Sequence, residues 1–185
     1  MIERGVVRIE EGRIVALPAT RDDGGANRPV DNSSDSFFEV MEGLDKALPA
    51  RLLSFLDKVR EIGVEPEFKR SLILRYNSPE GGAYNLGTIS RSGELWTDRI
   101  DDASRLSHDV ARPYIENLAR LFEGRVDQRN QYWYVRVGNR VPKITAIADK
   151  LPGWVDEMAR LVRAIRAEEN EQGSGAGTYL LPLSG

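Results

Sequence analysis

The sequence contains no cysteine. Disulfides and thiolate metal sites are therefore excluded. It has a single histidine, His108, set between Ser107 and Asp109 in a helical pattern. General-base catalysis needs an imidazole oriented by a partner, with a nucleophile in reach. This histidine reads more simply as a surface or capping residue. No apolar run approaches the ~20 residues that span a bilayer, so no membrane partner is expected. The opening residues MIERGVVRIEEG alternate charge with β-branched side chains, unlike a signal peptide. A cytoplasmic, bacterial-type protein is the expectation. The formal net charge of −3 gives no global attraction to nucleic acid; such binding would need a local basic patch. The glycine-rich stretches, Gly81-Gly82 and residues 173–177, are not followed by the Lys-Ser/Thr of a phosphate loop. No cofactor is expected, and no internal repeat is present.

What remains is ordinary for a globular domain with tails: 185 residues, 41% hydrophobic and 30% charged. Residues 63–98 are the organising stretch. They read as three short strands joined by tight turns, a β-meander over residues 71–76, 83–89 and 94–97. Leu72, Leu74 and Tyr76 alternate to one face, and Tyr84, Leu86 and Thr88 share a face of the second strand. Gly87 signals a bulge or a close approach by another backbone. Residues 131–137 read as a further strand of the same sheet. Pro66 argues against a central strand at residues 65–69.

The flanking segments carry helical periodicity. Phe37, Phe38, Val40, Met41 and Leu44 make one apolar face, with Asp35 or Ser36 as N-cap and Glu39 placed for a capping box. Leu52, Phe55, Leu56, Val59 and Ile62 make a second, with Pro49 in its first turn and Gly63 as terminator. Leu106, Val110, Tyr114, Leu118, Leu121 and Phe122 make a third, stopped by Gly124, with Pro113 predicting a kink or a late start. Ile144, Ile147 and Leu151 suggest a short helix. Trp154, Val155, Met158, Leu161, Val162 and Ile165 then give the face of the last one.

The expected fold class is α+β, with a small antiparallel sheet packed against helices and an amino-terminal β-hairpin. The expected organisation is a hairpin at residues 1–18, a flexible linker at 19–35, the α+β domain at 36–168 and a flexible tail at 169–185.

The order Phe37-Phe38-Glu39, Ile62-Gly63-Val64, Arg70-Ser71-Leu72-Ile73-Leu74, Asn85-Leu86-Gly87-Thr88-Ile89 and Gly93-Glu94-Leu95-Trp96 resembles α+β accessory modules found beside restriction-type PD-(D/E)XK endonuclease domains. The resemblance covers roughly residues 37–165. It implies a companion role near DNA transactions and supplies no catalytic residues. The stretch before Phe37 is too short to hold the nuclease itself.

The candidate binding set is basic and aromatic. Lys69, Arg70, Arg75, Arg91, Arg136, Arg140 and Lys143 are the candidate nucleic-acid contacts, interleaved with Tyr76, Tyr84, Trp96, Tyr132, Trp133 and Tyr134. Aromatics on a sheet face can stack bases while arginines contact phosphates. The plainer alternative is that a sheet needs large residues on its packed face anyway. Asp98, Asp101 and Asp102 could hold a divalent ion, and serve equally well as helix caps. No catalytic residue and no metal ligand is assigned. The expected function is a non-catalytic binding or accessory module of unidentified ligand, associated with DNA transactions, with nucleic acid or a partner protein as the candidate partners. The alternatives are a small metal-dependent nuclease or hydrolase working through carboxylates, and a protein-interaction or structural subunit.

Overall fold

The computed structural model describes residues 7–10, 13–16, 33–97, 100, 106–130 and 132–175. The chain divides into two units, Met1–Val30 and Asp31–Gly185. In the first, strands β1 (Val7–Glu10) and β2 (Arg13–Ala16) pair antiparallel, with Ile9 opposite Ile14. Most of the linker, Asp98, Asp101, Asp102 and the tail beyond Gly175 lie outside the described residues.

The second unit has α+β architecture. Its elements run α1 (Ser34–Leu44), α2 (Leu48–Glu61), β3 (Val64–Phe68), β4 (Ser71–Asn77), β5 (Ala83–Ser90), β6 (Leu95–Trp96), α3 (His108–Leu121), β7 (Arg125–Arg129), β8 (Tyr132–Arg136) and α4 (Leu151–Gly175). The main sheet is antiparallel in the order β3-β4-β5-β6, the meander plus one further strand. No helix among the described residues is long and apolar enough to cross a membrane.

The further strand is β3, not residues 131–137. Pro66 lies within β3, but β3 is the sheet edge, where a missing N–H breaks no interior ladder. The strand expected at residues 131–137 is β8, and it pairs with β7 in a separate two-stranded sheet. Strand β7 escapes a period-2 reading because RVDQR offers only Val126 as an apolar anchor.

Leu72, Leu74 and Tyr76 are buried, as their alternation predicts. On β5 the alternation breaks. Tyr84 and Leu86 point inward, but so does Ile89, while Thr88 is half-exposed. The register shifts between Leu74 and Arg75: Leu74 faces Gly87 and Arg75 faces Asn85, so Leu86 is the extra residue of a bulge. The Asn85 side chain holds the bulge, accepting from the Gly87 N–H at 3.0 Å and donating to Thr88 Oγ1 at 3.1 Å.

The bulge seats the centre of the core. A Cβ on Gly87 would lie 2.5 Å from Cζ2 of Trp154, so the close approach there is by an indole, not by another backbone. Trp154 stacks on Phe55 of α2 at 5.2 Å and meets Phe122 edge-on at 6.2 Å. Its Nε1–H donates to the Tyr114 hydroxyl at 2.9 Å, which donates in turn to the Leu86 carbonyl at 2.6 Å. One buried chain of hydrogen bonds thus links α4, α3 and the bulged strand. Around it the helix faces interlock, and each large apolar side chain so buried contributes ~1.5–3 kcal/mol.

Helix ends refine the sequence expectations. Ser33 is the N-cap of α1, its Oγ accepting from Ser36 N at 3.2 Å, so neither Asp35 nor Ser36 caps and Glu39 sits too far along for a capping box. Asp35 occupies the first turn instead, where the helix dipole favours an acid. Pro113 is inside α3. Gly124 lets the chain leaving α3 pass β8, because a Cβ there would lie 2.2 Å from the Arg136 carbonyl oxygen. Residues 144–150 form two short 3₁₀ turns rather than one short helix.

Helix α4 continues to Gly175, past the boundary expected at residue 168. Charged side chains pin its later turns. Glu168 accepts from Ser107 N at 3.2 Å, satisfying a backbone donor at the start of α3. Glu169 accepts from the Tyr84 hydroxyl at 2.8 Å and from the Ser78 hydroxyl. Arg166 donates to the Tyr76 hydroxyl at 2.8 Å and lies over its ring. Composition made this stretch look like a tail; its acids are docked on the β4–β5 turn and on α3.

Candidate functional site

The β7–β8 hairpin has two unlike faces. Alternation sends Trp133 and Val135 toward the core, with Arg112 of α3 over the Trp133 ring at 5.1 Å. The Val135 N–H donates to the buried Thr97 Oγ1 at 3.3 Å, tying the hairpin to the end of β6. The opposite face carries Tyr132, Tyr134 and Arg136 from β8, with Arg129, Asp127 and Arg125 facing them from β7.

After β8 the chain turns at residues 137–140 and runs back along β6. Leu95 N donates to the Pro142 carbonyl at 2.9 Å and Ile144 N to the Gly93 carbonyl at 2.7 Å, closing the sheet edge. Between this returning segment, β6 and the hairpin lies a cleft of about 750 Å³. Arg129, Arg136, Arg140 and Lys143 line it against one carboxylate, Glu94, together with Trp96, Tyr132 and Tyr134. Trp96 and Tyr134 are in contact, their ring centres 6.3 Å apart and tilted by 39°. A second hollow, of about 370 Å³ between α2 and α4, has an apolar floor of Phe55, Leu151 and Val155, with Arg51, Ser54 and Lys58 of α2 along one side and no aromatic ring besides Phe55.

The electrostatics of the cleft are graded. Arg136 is fixed: it donates to Asp127 at 2.8 Å and to the Asn139 carbonyl. That bond holds the Asp127 carboxyl below the usual aspartate range, helped by the Gln128 N–H, and raises Arg136 in turn. Lys143 donates to the Ser92 carbonyl at 2.9 Å and sits 3.4 Å from Glu94. Among the described residues, the side chains of Arg129 and Arg140 form no ion pair, and both are exposed.

No family model, curated protein or solved structure matches this chain.

Of the seven candidate cations, the cleft gathers Arg136, Arg140 and Lys143. The other four lie elsewhere. Lys69 and Arg75 both pair with Glu67, at 3.0 and 2.9 Å, and hold its carboxyl below the usual glutamate range, the Lys69 hydrogen bond being the main cause. Arg70 is exposed in the β3–β4 turn. Arg91 donates to the Ser36 carbonyl at 3.1 Å and to Ser36 Oγ at 2.8 Å, clamping the start of α1. Of the aromatics, Tyr76 and Tyr84 stack on each other inside the core and Trp133 packs on α3, so Trp96, Tyr132 and Tyr134 are the ones that reach the cleft.

Sequence reasoning missed Arg129, Asn130 and Asn139. The signal for Arg129 was the turn after it: Asn130 has φ 56°, the left-handed conformation that asparagine tolerates between hairpin strands. His108 is exposed in the first turn of α3. Among the described residues no three His, Asp or Glu side chains group to hold a metal ion.

Proposed function

We propose that this chain is a non-catalytic binding module that takes nucleic acid in the cleft between β6, β8 and residues 139–143. One observation carries the reading: Trp96, Tyr132 and Tyr134 share a concave surface with Arg129, Arg136, Arg140 and Lys143. Rings offer faces for bases, and guanidinium groups offer bonds to phosphate. The local excess of cations supports this despite the acidic net charge, because exposed charges beyond ~8–10 Å are largely screened at physiological ionic strength. The resemblance to accessory modules found beside nuclease domains supports a role near DNA transactions, and a cytoplasmic setting belongs to the same proposal.

The test is fluorescence anisotropy with labelled oligonucleotides over a salt series. Binding should weaken as salt rises, with a log–log slope of roughly −0.7 to −0.9 per phosphate neutralised. Arg140→Glu should weaken binding and flatten that slope, whereas Arg70→Glu, outside the cleft, should change neither. Equal effects of the two variants would refute the site.

A second reading, a protein-interaction module, draws on the ion pairs that already engage Lys69, Arg75, Arg136 and Lys143. Absence of any salt-sensitive binding to oligonucleotides would favour it.

A further inference from the structure

Resting on the nucleic-acid reading above, we infer that the cleft selects an extended single strand over a duplex. The spacing along the hairpin suits an extended strand. Tyr132, Tyr134 and Arg136 alternate along β8, so their side chains repeat every ~6.8 Å. Bases stacked in a duplex repeat every ~3.4 Å along each strand. The row of side chains therefore matches a strand drawn out to about twice its stacked rise, with its bases separated from one another.

Access to base faces favours the same form. An interior base of a duplex has both faces covered by its neighbours, so an aromatic side chain can stack on it only after it is unstacked. The tyrosine row and Trp96 offer ring surface, and a single strand supplies open base faces at no unpairing cost.

The shape of the cleft also disfavours a duplex. A two-stranded ribbon can read duplex DNA by entering the major groove, but a ribbon that does so must protrude. Here one face of the hairpin is packed on α3 through Trp133 and Val135, and the other forms the wall of a concave cleft. Its volume of about 750 Å³ suits a few nucleotides, not a double helix. Cations lie on both sides of the ring row. Arg129 stands opposite Tyr132 on β7, and Arg140 and Lys143 come from the returning segment. A backbone can thus be held on either side while bases face Tyr132 and the Trp96–Tyr134 pair.

The experiment compares one labelled oligonucleotide, free and annealed to its complement, against the full chain at a single salt concentration. The single strand should bind at least about tenfold more tightly. Removing one stacking ring should cost roughly five- to a hundredfold in affinity. Tyr134→Ala should show that loss with the single strand and little change with the duplex, while Tyr134→Phe, which keeps the ring, should retain the preference. Binding of the single strand should also quench tryptophan fluorescence, and Trp96→Phe should remove that signal. Equal affinity for both forms, or an equal loss for both in Tyr134→Ala, would overturn the single-strand inference and leave nucleic-acid binding standing. Failure of both forms to bind would overturn both readings.

Discussion

Replacing Tyr114 by phenylalanine removes one oxygen from the middle of the core. That oxygen accepts from Trp154 Nε1 and donates to the Leu86 carbonyl, and all three residues are buried. In Tyr114→Phe the indole N–H is left without a partner in an apolar setting, a cost of about 1–3 kcal/mol. Loss of the bond to Leu86 adds about 0.5–1.5 kcal/mol. The variant should therefore be less stable by roughly 2–4 kcal/mol, and its thermal midpoint should fall by about 4–16 °C. Urea denaturation followed by circular dichroism gives the first figure and a thermal scan the second. The pH dependence offers an independent check. Burial pushes the Tyr114 phenol above its ordinary value of 10.0. Above about pH 10 the unfolded chain releases a proton that the folded chain retains, so this contribution is complete below pH 10 and is lost as pH rises. Tyr114→Phe should lessen that alkaline loss. A shift in stability below about 0.5 kcal/mol, within the range of a neutral surface change, would refute the claim that this hydrogen-bond chain ties the helices to the bulge.

Gly87→Ala should destabilise by roughly 1–3 kcal/mol in urea titration, because the new methyl meets the rigid Trp154 ring at 2.5 Å. Gly43→Ala, in α1 with open space around it, should instead stabilise by about 0.5–1 kcal/mol. Glu169→Ala should speed amide exchange in the last turns of α4 by releasing Ser78 and Tyr84, and exchange that stays as slow as in the parent would contradict the docking of that end. Since Lys69 and Arg75 hold the Glu67 carboxyl below its usual value of 4.5, its contribution is present above about pH 4.5 and fades as pH falls. Glu67→Gln should reduce the acid-side loss of stability.

The inner face of the sheet was legible because β4 alternates without interruption and its neighbours are helices with single apolar stripes. Strand partnership was not. Residues 132–136 carry a strand pattern, but periodicity says nothing of which strand lies alongside, and β8 joined β7 rather than the meander. The bulge at Leu86 turned Thr88 outward and Ile89 inward, a one-residue slip that alternation alone cannot anticipate. At the candidate site, Arg136, Arg140 and Lys143 come together because the chain reverses at residues 137–140 and returns along β6. Arg91 and Arg75 have the same chemistry but were placed by different turns, beside Ser36 and Glu67. Residue type marked the chemistry; turn geometry decided which residues share a surface.

Backbone amide chemical shifts, recorded as unlabelled single-stranded oligonucleotide is added to isotope-labelled chain, test the central claim most directly. Shifts concentrated in β6, in the β7–β8 hairpin and at residues 139–143, saturating together and reversing with added salt, are the expected result. Shifts centred on Lys69 and Arg70, or no shifts at all under low salt, would contradict the cleft as the binding surface.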